Sequence, residues 1–388
     1  MKLAFIFDTC FKRYQNHFYS VNLTQELFNS RYLPYFDEII VIGRYEDADF
    51  ATVNKMVQSD MKQVKFKCIK NTSRLHRITR IDIEESYIEK VLRSCDAAIC
   101  RGWWGTKACR KTGTPYMMEV ITDAWDSLWN HSTLGKLVAF PYYELQKKAI
   151  KQSDYVLYVT EKYLQSRYPT NGKSLGCSDV VIEDLSQDIL DKRIKKIESH
   201  NGNYIIGTTA AVNIKYKGQE FVIKALGILK KKGITNFEYH LAGNGDNTRL
   251  KEIAQKVGVE DQVKFLGGIP HDKISEWLDS IDIYIQPSRT EGLPRALVEA
   301  QSRALPCLGS NAGGIPELLD RSCICDKHID MSKPIANWLL SLTKEKQIRD
   351  AKKNFQKAKL YQKDVLDSKR NKFYEKFKEF AKGYKKNQ

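Results

Sequence analysis

Nowhere does the chain approach the roughly 18 consecutive apolar residues that a membrane-crossing helix requires. The opening stretch MKLAFIFDTCFKRY holds an apolar run of five residues that meets Asp8 and then Lys12 and Arg13, too short for a signal-peptide core. A cytoplasmic protein is therefore expected. Glycine is missing from FIFDTCFKR, and GNGDNT further on is only a partial match, so the GxGxxG turn of a nicotinamide-dependent dehydrogenase is absent. No CxxC pair occurs among the nine cysteines, whose odd number and wide scatter argue against a disulfide framework. Cys323, Cys325 and His328 lie together in SCICDKH, but the cysteines alternate as in a short strand and no second ligand pair accompanies them, so no metal site is expected. Zinc-finger, RRM-type and helix-turn-helix signatures are also lacking, which removes nucleic acid as the expected partner.

That exclusion matters because the formal charge is +16. Residues 344–388 carry sixteen Lys or Arg against six Asp or Glu, so much of the excess sits in one tail. With nucleic acid set aside, an anionic membrane surface or a phosphorylated substrate is the expected partner. Within the tail, Phe373, Phe377, Phe380 and Tyr384 recur at helical spacing among lysines, as in an interfacial helix or in a helix that packs back on the body of the protein.

At 388 residues the chain exceeds what one core usually serves, and two domains are expected. In the second half, YIIGTTAAV (204–212), FEYHLAG (237–243), VKFLGG (263–268), IDIYIQPS (281–288) and PCLGSN (306–311) read as buried strands separated by helical stretches. The first half repeats the plan with KLAFIFD (2–8), EIIVIGR (38–44), KFKCIK (65–70), AAICRG (97–102), YMMEVIT (116–122) and YVLYVT (155–160). The expected architecture is α/β: two Rossmann-like, doubly wound parallel-sheet domains, 1–175 and 203–345, joined by 176–202 and followed by a helical tail, 346–388. Facing each other, they would enclose a cleft beyond the carboxyl ends of the strands.

The most informative segment is PSRTEGLPRALVEAQSRALPCLGSNAGGIPELL (287–319). Glu291 follows a buried strand, and a helix starts near Pro294, where a first turn tolerates proline. Leu293, Leu297, Ala300 and Ala304 follow the 3.6-residue period, which leaves Arg295 and Glu299 on another face. Two carboxylates so placed suit the hydroxyls of a sugar and a ribose; alone, they would read as a helix-dipole partner and an exposed helix residue. Gly313 and Gly314 follow the next strand and precede a helix, where free amides can meet phosphate.

This block resembles the donor-binding signature of glycosyltransferase family 4, retaining enzymes of the GT-B fold. The resemblance spans about residues 204–320 and includes the pair of glutamates separated by seven residues. It implies that Glu299 binds the ribose, that Glu291 meets the transferred sugar, that Gly292 and Leu293 offer amides to that sugar or its phosphate, and that Ile269 lies near the base. It implies Lys217, in KYKGQE, on the diphosphate. The arginine that accompanies that lysine in the family is replaced by Ala211, and Lys215 or Arg295 is the candidate substitute.

In the first half, PYMMEVITDAWDSLW and DYVLYVTEKYLQSRYP are similar to glycosyltransferases of bacterial capsule, O-antigen and exopolysaccharide assembly. Where such proteins place a histidine after the corresponding strand, this chain has Asp123, either a ligand-facing carboxylate or a helix N-cap. Arg101 follows another strand as a phosphate-neutralising cation or a salt-bridge partner. Arg13 and His17 follow the first strand, His17 reading also as a packed helix residue. The implied reaction needs neither a covalent nucleophile nor a metal, and no DxD-like acidic motif occurs in the block. Its implied substrates are a nucleotide-diphosphate sugar and a glycan or polyprenyl-linked acceptor. The missing arginine leaves a second reading, a non-catalytic nucleotide-sugar-binding partner of an active transferase.

Overall fold

The computed structural model describes residues 1–72, 81–129, 133–182 and 185–386. Its strands fall into two sheets. In the first half they are β1 (Lys2–Tyr14), β2 (His17–Ser20), β3 (Glu38–Asp47), β4 (Val57–Gln58), β5 (Val64–Phe66), β6 (Ile69–Lys70), β7 (Ala97–Cys100), β8 (Tyr116–Val120), β9 (Tyr155–Tyr158) and β10 (Lys173–Gly176). The parallel body of this sheet runs β10-β9-β8-β7-β1-β3, with β5 and β6 beyond β3. Strands such as β7 and β8 are buried at every residue, as their continuous apolar runs require when helices cover both faces.

β1 departs from expectation. It does not end at Asp8 but continues, with a register shift between Ile6 and Cys10, to Tyr14. The chain then reverses at Gln15 and Asn16, whose φ values of 48° and 64° match the mirror-image turns that suit twisted hairpins, and β2 returns antiparallel to β1.

The second sheet contains β11 (Tyr204–Thr209), β12 (Phe237–Ala242), β13 (Val263–Gly267), β14 (Ile283–Gln286), β15 (Cys307–Ser310) and β16 (Ile324–Cys325). All are parallel, in the order β13-β12-β11-β14-β15-β16. Counted from β11 this is the Rossmann order, so the crevice between the loops after β11 and β14 is its topological switch point.

Two chain segments pass between the halves side by side. The amide of Ile182 donates to the Tyr361 carbonyl at 2.9 Å, and the amide of Lys363 to the Ile182 carbonyl at 3.3 Å. Helix Gln187–Ser199 docks on the second half through Arg193, which donates to the carbonyls of Ile281 and Leu278 at 2.6 and 2.9 Å. Helix Lys344–Ala358 also packs there, whereas helix Lys363–Lys386 returns to the first half.

Of the two readings of the tail's aromatic spacing, the return matches the helix that packs back on the body of the protein. Phe373 and Phe377 are buried, and with Phe380 their rings surround Tyr155 of β9 at 5.4, 5.5 and 5.3 Å. The Tyr374 hydroxyl donates to Glu119 of β8 at 2.6 Å. Apolar burial against the first sheet uses the aromatic stripe that a bilayer would otherwise take.

Candidate functional site

The switch point gathers several of the residues singled out by the sequence. Lys217 lies in a 3-10 turn, Lys215–Lys217, before helix Gln219–Lys230. Gly218 ends that turn at φ 74°, and a Cβ there would collide with the Pro287 carbonyl oxygen. Glycine therefore lets this turn lie directly on the loop after β14. The result is an ion pair: Lys217 Nζ donates to Glu291 Oε1 at 2.7 Å, with both side chains largely buried.

Glu291 is further held from below. Gln286 Nε2, at the end of β14, donates to the same Oε1 at 3.1 Å and to Ser288 Oγ at 2.9 Å. The Tyr284 hydroxyl donates to Gln286 Oε1 at 2.9 Å and accepts from the Thr209 amide at 3.2 Å. Since both donors fall on Oε1, Oε2 retains acceptor capacity for a ligand. The sequence reading missed Gln286 and Tyr284, although a glutamine within the apolar run IDIYIQPS was a visible cue.

Glu299 projects from helix Arg295–Ser302 and is mostly covered. Burial raises its pKa against the charges of Arg295 and His271, the latter with Nε2 3.7 Å away. Arg295 and Lys215 are exposed, as is Ala211 in the place of the absent arginine. Ile269 follows β13 and is partly buried against the core.

The glycine pair lies in close contact with the loop after β14. A Cβ at Gly313, φ 54°, would collide with the Glu291 carbonyl oxygen, and the Gly314 amide donates to the Gly292 carbonyl at 2.6 Å. The pair thus packs against the backbone that carries Glu291 and Leu293, and Gly314's N–H is already engaged. On its other side, a Cβ at Gly292 would stand 2.9 Å from the Ile121 carbonyl oxygen of the first half.

In the first half, the four site candidates are bound up in structure. Asp123 is 1% exposed; its Oδ1 accepts from Tyr168 Oη at 2.7 Å and the Trp125 amide at 2.9 Å, and its Oδ2 from Tyr163 Oη at 2.8 Å and Arg167 Nε at 3.0 Å. Burial works to raise its pKa, but bonds from Tyr168 and Tyr163 and the charge of Arg167 outweigh it and hold the carboxyl below its ordinary value. The geometry favours the helix-capping reading over a ligand contact. Arg101 likewise turns inward: it donates to Glu119 Oε2 at 2.7 Å and to Tyr32 Oη at 2.9 Å, so it does not present a free cation to the cleft. Arg13 lies in the hairpin, bonded to Asp47 at 2.7 Å and 4.3 Å from the centroid of the Tyr45 ring. His17 opens β2, exposed, 2.8 Å from Asp60, and is not a helix residue. The extension of β1 carries both away from a loop position.

Contacts across the cleft come from residues the sequence did not single out. Glu317 accepts from the amides of Glu161, Lys162 and Tyr163 at 2.6, 3.0 and 2.6 Å, capping the start of helix Tyr163–Arg167. Lys327 pairs with Asp126 at 3.4 Å. No sequence pattern announces partners more than 150 positions apart. Among the described residues, no group of three or more His, Cys, Asp or Glu could hold a metal ion, and no helix is long and apolar enough to cross a membrane.

Comparison with known proteins meets this geometry from outside. The family described as glycosyl transferases group 1 matches residues 191–359, the span that contains Lys217, Glu291 and Glu299. Protein CapJ of Staphylococcus aureus is 32% identical over 373 residues, 91% of this chain and 90% of CapJ. The amylovoran biosynthesis glycosyltransferase AmsK of Erwinia amylovora is 40% identical over 113 residues, 27% of this chain and 28% of AmsK. Among solved structures, Anabaena Alr3699/HepE in complex with UDP-glucose aligns with a TM-score of 0.63 at 15% identity, covering 99% of this chain and 100% of that one. The two parallel sheets are thus those of a GT-B fold, and the chain belongs to the group 1 glycosyltransferases.

Proposed function

We propose that this protein is a cytoplasmic, retaining glycosyltransferase that moves a sugar from a nucleotide-diphosphate sugar to a glycan or polyprenyl-linked acceptor in cell-surface polysaccharide synthesis. The observation that carries the reading is the Lys217–Glu291 pair at the switch point of the second sheet, oriented by Gln286. The likeness to CapJ and AmsK supports the polysaccharide context, and the UDP-glucose complex of HepE supports the class of donor.

In this mechanism the acceptor hydroxyl attacks the anomeric carbon from the face that the diphosphate leaves. The new C–O bond forms as the bond to the diphosphate breaks, and the acceptor proton passes to a phosphate oxygen. The protein's part is orientation and charge stabilisation. Lys217 neutralises the leaving diphosphate, Lys215 or Arg295 supplies the second positive charge in place of the missing arginine, and Gly292 and Leu293 present backbone amides. Glu291 accepts hydrogen bonds from the sugar and Glu299 from the ribose, with Ile269 beside the base. With no metal assigned a role, transfer is expected to persist in EDTA; complete loss restored by a divalent ion would overturn that part of the scheme.

Glu299→Ala and Lys217→Ala are each expected to weaken nucleotide-diphosphate binding by about 1–3 kcal/mol, as loss of a charged hydrogen-bond partner does. Calorimetric titration with UDP, GDP and ADP tests this, and unchanged affinity for the nucleotide that binds wild type would refute the assignment. The raised pKa of Glu299 adds a pH signature. In the unliganded protein its contribution to stability is present in acid and lost as pH rises through the raised pKa. Nucleotide affinity runs the other way, rising over the same interval as the carboxylate ionises, and Glu299→Gln should flatten that profile.

A further inference from the structure

The first sheet has a switch point of its own. From β1 the chain adds β3 on one side and later β7 on the other, so a crevice opens between the loops that follow β1 and β7. There β1 bulges: Ile6 pairs with Ile42 and Cys10 with Arg44, which sets Phe7, Asp8 and Thr9 opposite Gly43 alone. A Cβ on residue 43 would stand 2.9 Å from the Phe11 ring and 3.1 and 3.2 Å from the carbonyl oxygens of Phe7 and Thr9, so glycine lets the bulge form. Bulges re-aim side chains, and this one leaves Asp8 exposed at the crest of the sheet.

Arg44, the residue after Gly43, is buried, and its Nη1 and Nη2 donate to the two oxygens of Glu84 at 2.8 and 2.9 Å. Its Nε donates to Oδ1 of Asp8, and its guanidinium lies 5.1 Å from the centroid of the Trp104 ring. A buried cation fixed by a bidentate partner thus orients an accessible carboxylate, whose Oδ2 keeps its acceptor capacity. Asp8 and Glu84 together outweigh Arg44 by one negative charge. Such a group repels phosphate and accepts hydrogen bonds from neutral hydroxyls. Burial and the charge of Asp8 push the pKa of the Tyr142 hydroxyl up, which sets it near that carboxylate, and Trp103 meets the Tyr142 ring edge-on at 5.8 Å. A Cβ at Gly102, φ 140°, would meet nothing within 4 Å, so the loop after β7 leaves room beside them.

The crevice lies within reach of the donor half. β8, whose following loop meets Gly292 at Ile121, is separated from β1 only by β7, a lateral span of about 10 Å at ordinary strand spacing. We propose that Asp8, positioned by Arg44, binds hydroxyl groups of the acceptor, and that the portion of the acceptor held there is an uncharged sugar chain and not a phosphate. The proposal rests on the transferase reading for the role of that sugar. It gives the first domain a ligand-facing carboxylate at Asp8, whereas Asp123 is enclosed by its own partners.

Saturation-transfer NMR with maltotriose, cellotriose and N-acetylated chitotriose tests it, the donor site being filled by whichever of UDP, GDP and ADP binds. Wild type should bind at least one of these neutral sugars, and inorganic phosphate should not displace it. Asp8→Asn should weaken that binding about tenfold or more while nucleotide affinity, which reports folding, stays unchanged. Arg44→Lys, which keeps the charge but loses the fork, should weaken sugar binding in the wild-type background and add nothing in Asp8→Asn. Undiminished sugar binding by Asp8→Asn, displacement of the sugar by phosphate, or intact nucleotide binding with none of the sugars bound would each overturn the proposal, and the last would leave the transferase reading standing. Sugar binding that depends on Asp8 in a protein that takes none of the nucleotides would uphold the site and refute the transferase reading instead.

Discussion

Glu291→Gln is expected to cut the rate of sugar transfer by about 10²–10³, the cost typical of removing one preorganised charge-stabilising contact, while leaving nucleotide affinity nearly intact. The amide keeps the shape of the side chain but not its charge, so the Lys217 contact loses its ionic character and the sugar loses its acceptor. Lys217→Ala is expected to lower both, because its proposed partner is the diphosphate, which is part of the bound nucleotide and gains charge as it leaves. Measuring transfer and nucleotide binding on both variants separates the roles. Equal losses of binding and turnover in Glu291→Gln would assign that residue to the architecture of the loop.

The largest effect on stability is expected at Arg101. Its guanidinium, Glu119, Tyr32 and Tyr374 form a buried cluster that joins β7's loop, β8, helix Gln25–Arg31 and the C-terminal helix. Burial alone would raise the pKa of Glu119, but the charges of Arg101 and Arg31 and the bond from Tyr374 hold it below its ordinary value. Arg101→Leu leaves a carboxylate in the interior without its ion-pair partner and should destabilise the protein by about 3–5 kcal/mol. Removing the exposed partner of Arg13 by Asp47→Asn should change stability far less, since solvent screens that pair. Urea titrations of the two variants make the comparison. A small effect at Arg101 would mean that water reaches the cluster. Tyr374→Phe is the milder companion, since Glu119 keeps Arg101 and loses one donor.

Arg101 and Asp123 owe their roles to partners that the local sequence does not reveal. Arg101 after a strand looked like a cleft cation because the position after a parallel strand so often serves ligands. Nothing local revealed that Glu119, eighteen residues later, and Tyr374, on the last helix, would enclose it. Asp123 was open to two readings for a similar reason: its role depends on Tyr163, Arg167 and Tyr168, which return to it after an intervening strand. The glycine pair was recognised as a place of close approach, but what approaches closely is the neighbouring Glu291–Gly292 backbone.

The alternation of apolar runs and helical periods was enough to specify two parallel sheets, because strand and helix burial repeat over a few residues and are written in local composition. The spacing of Glu291 and Glu299 was legible for the same reason: strand, loop and first helical turns are contiguous in the chain. The pairing of Glu317 with the amides of residues 161–163, the inward turn of Arg101 and the hairpin that carries Arg13 and His17 belong to the tertiary structure. Each depends on which distant groups arrive within about 3 Å, the range over which a buried charge or hydrogen bond is satisfied, and that distance is set only when both sheets and the returning C-terminal helix have packed.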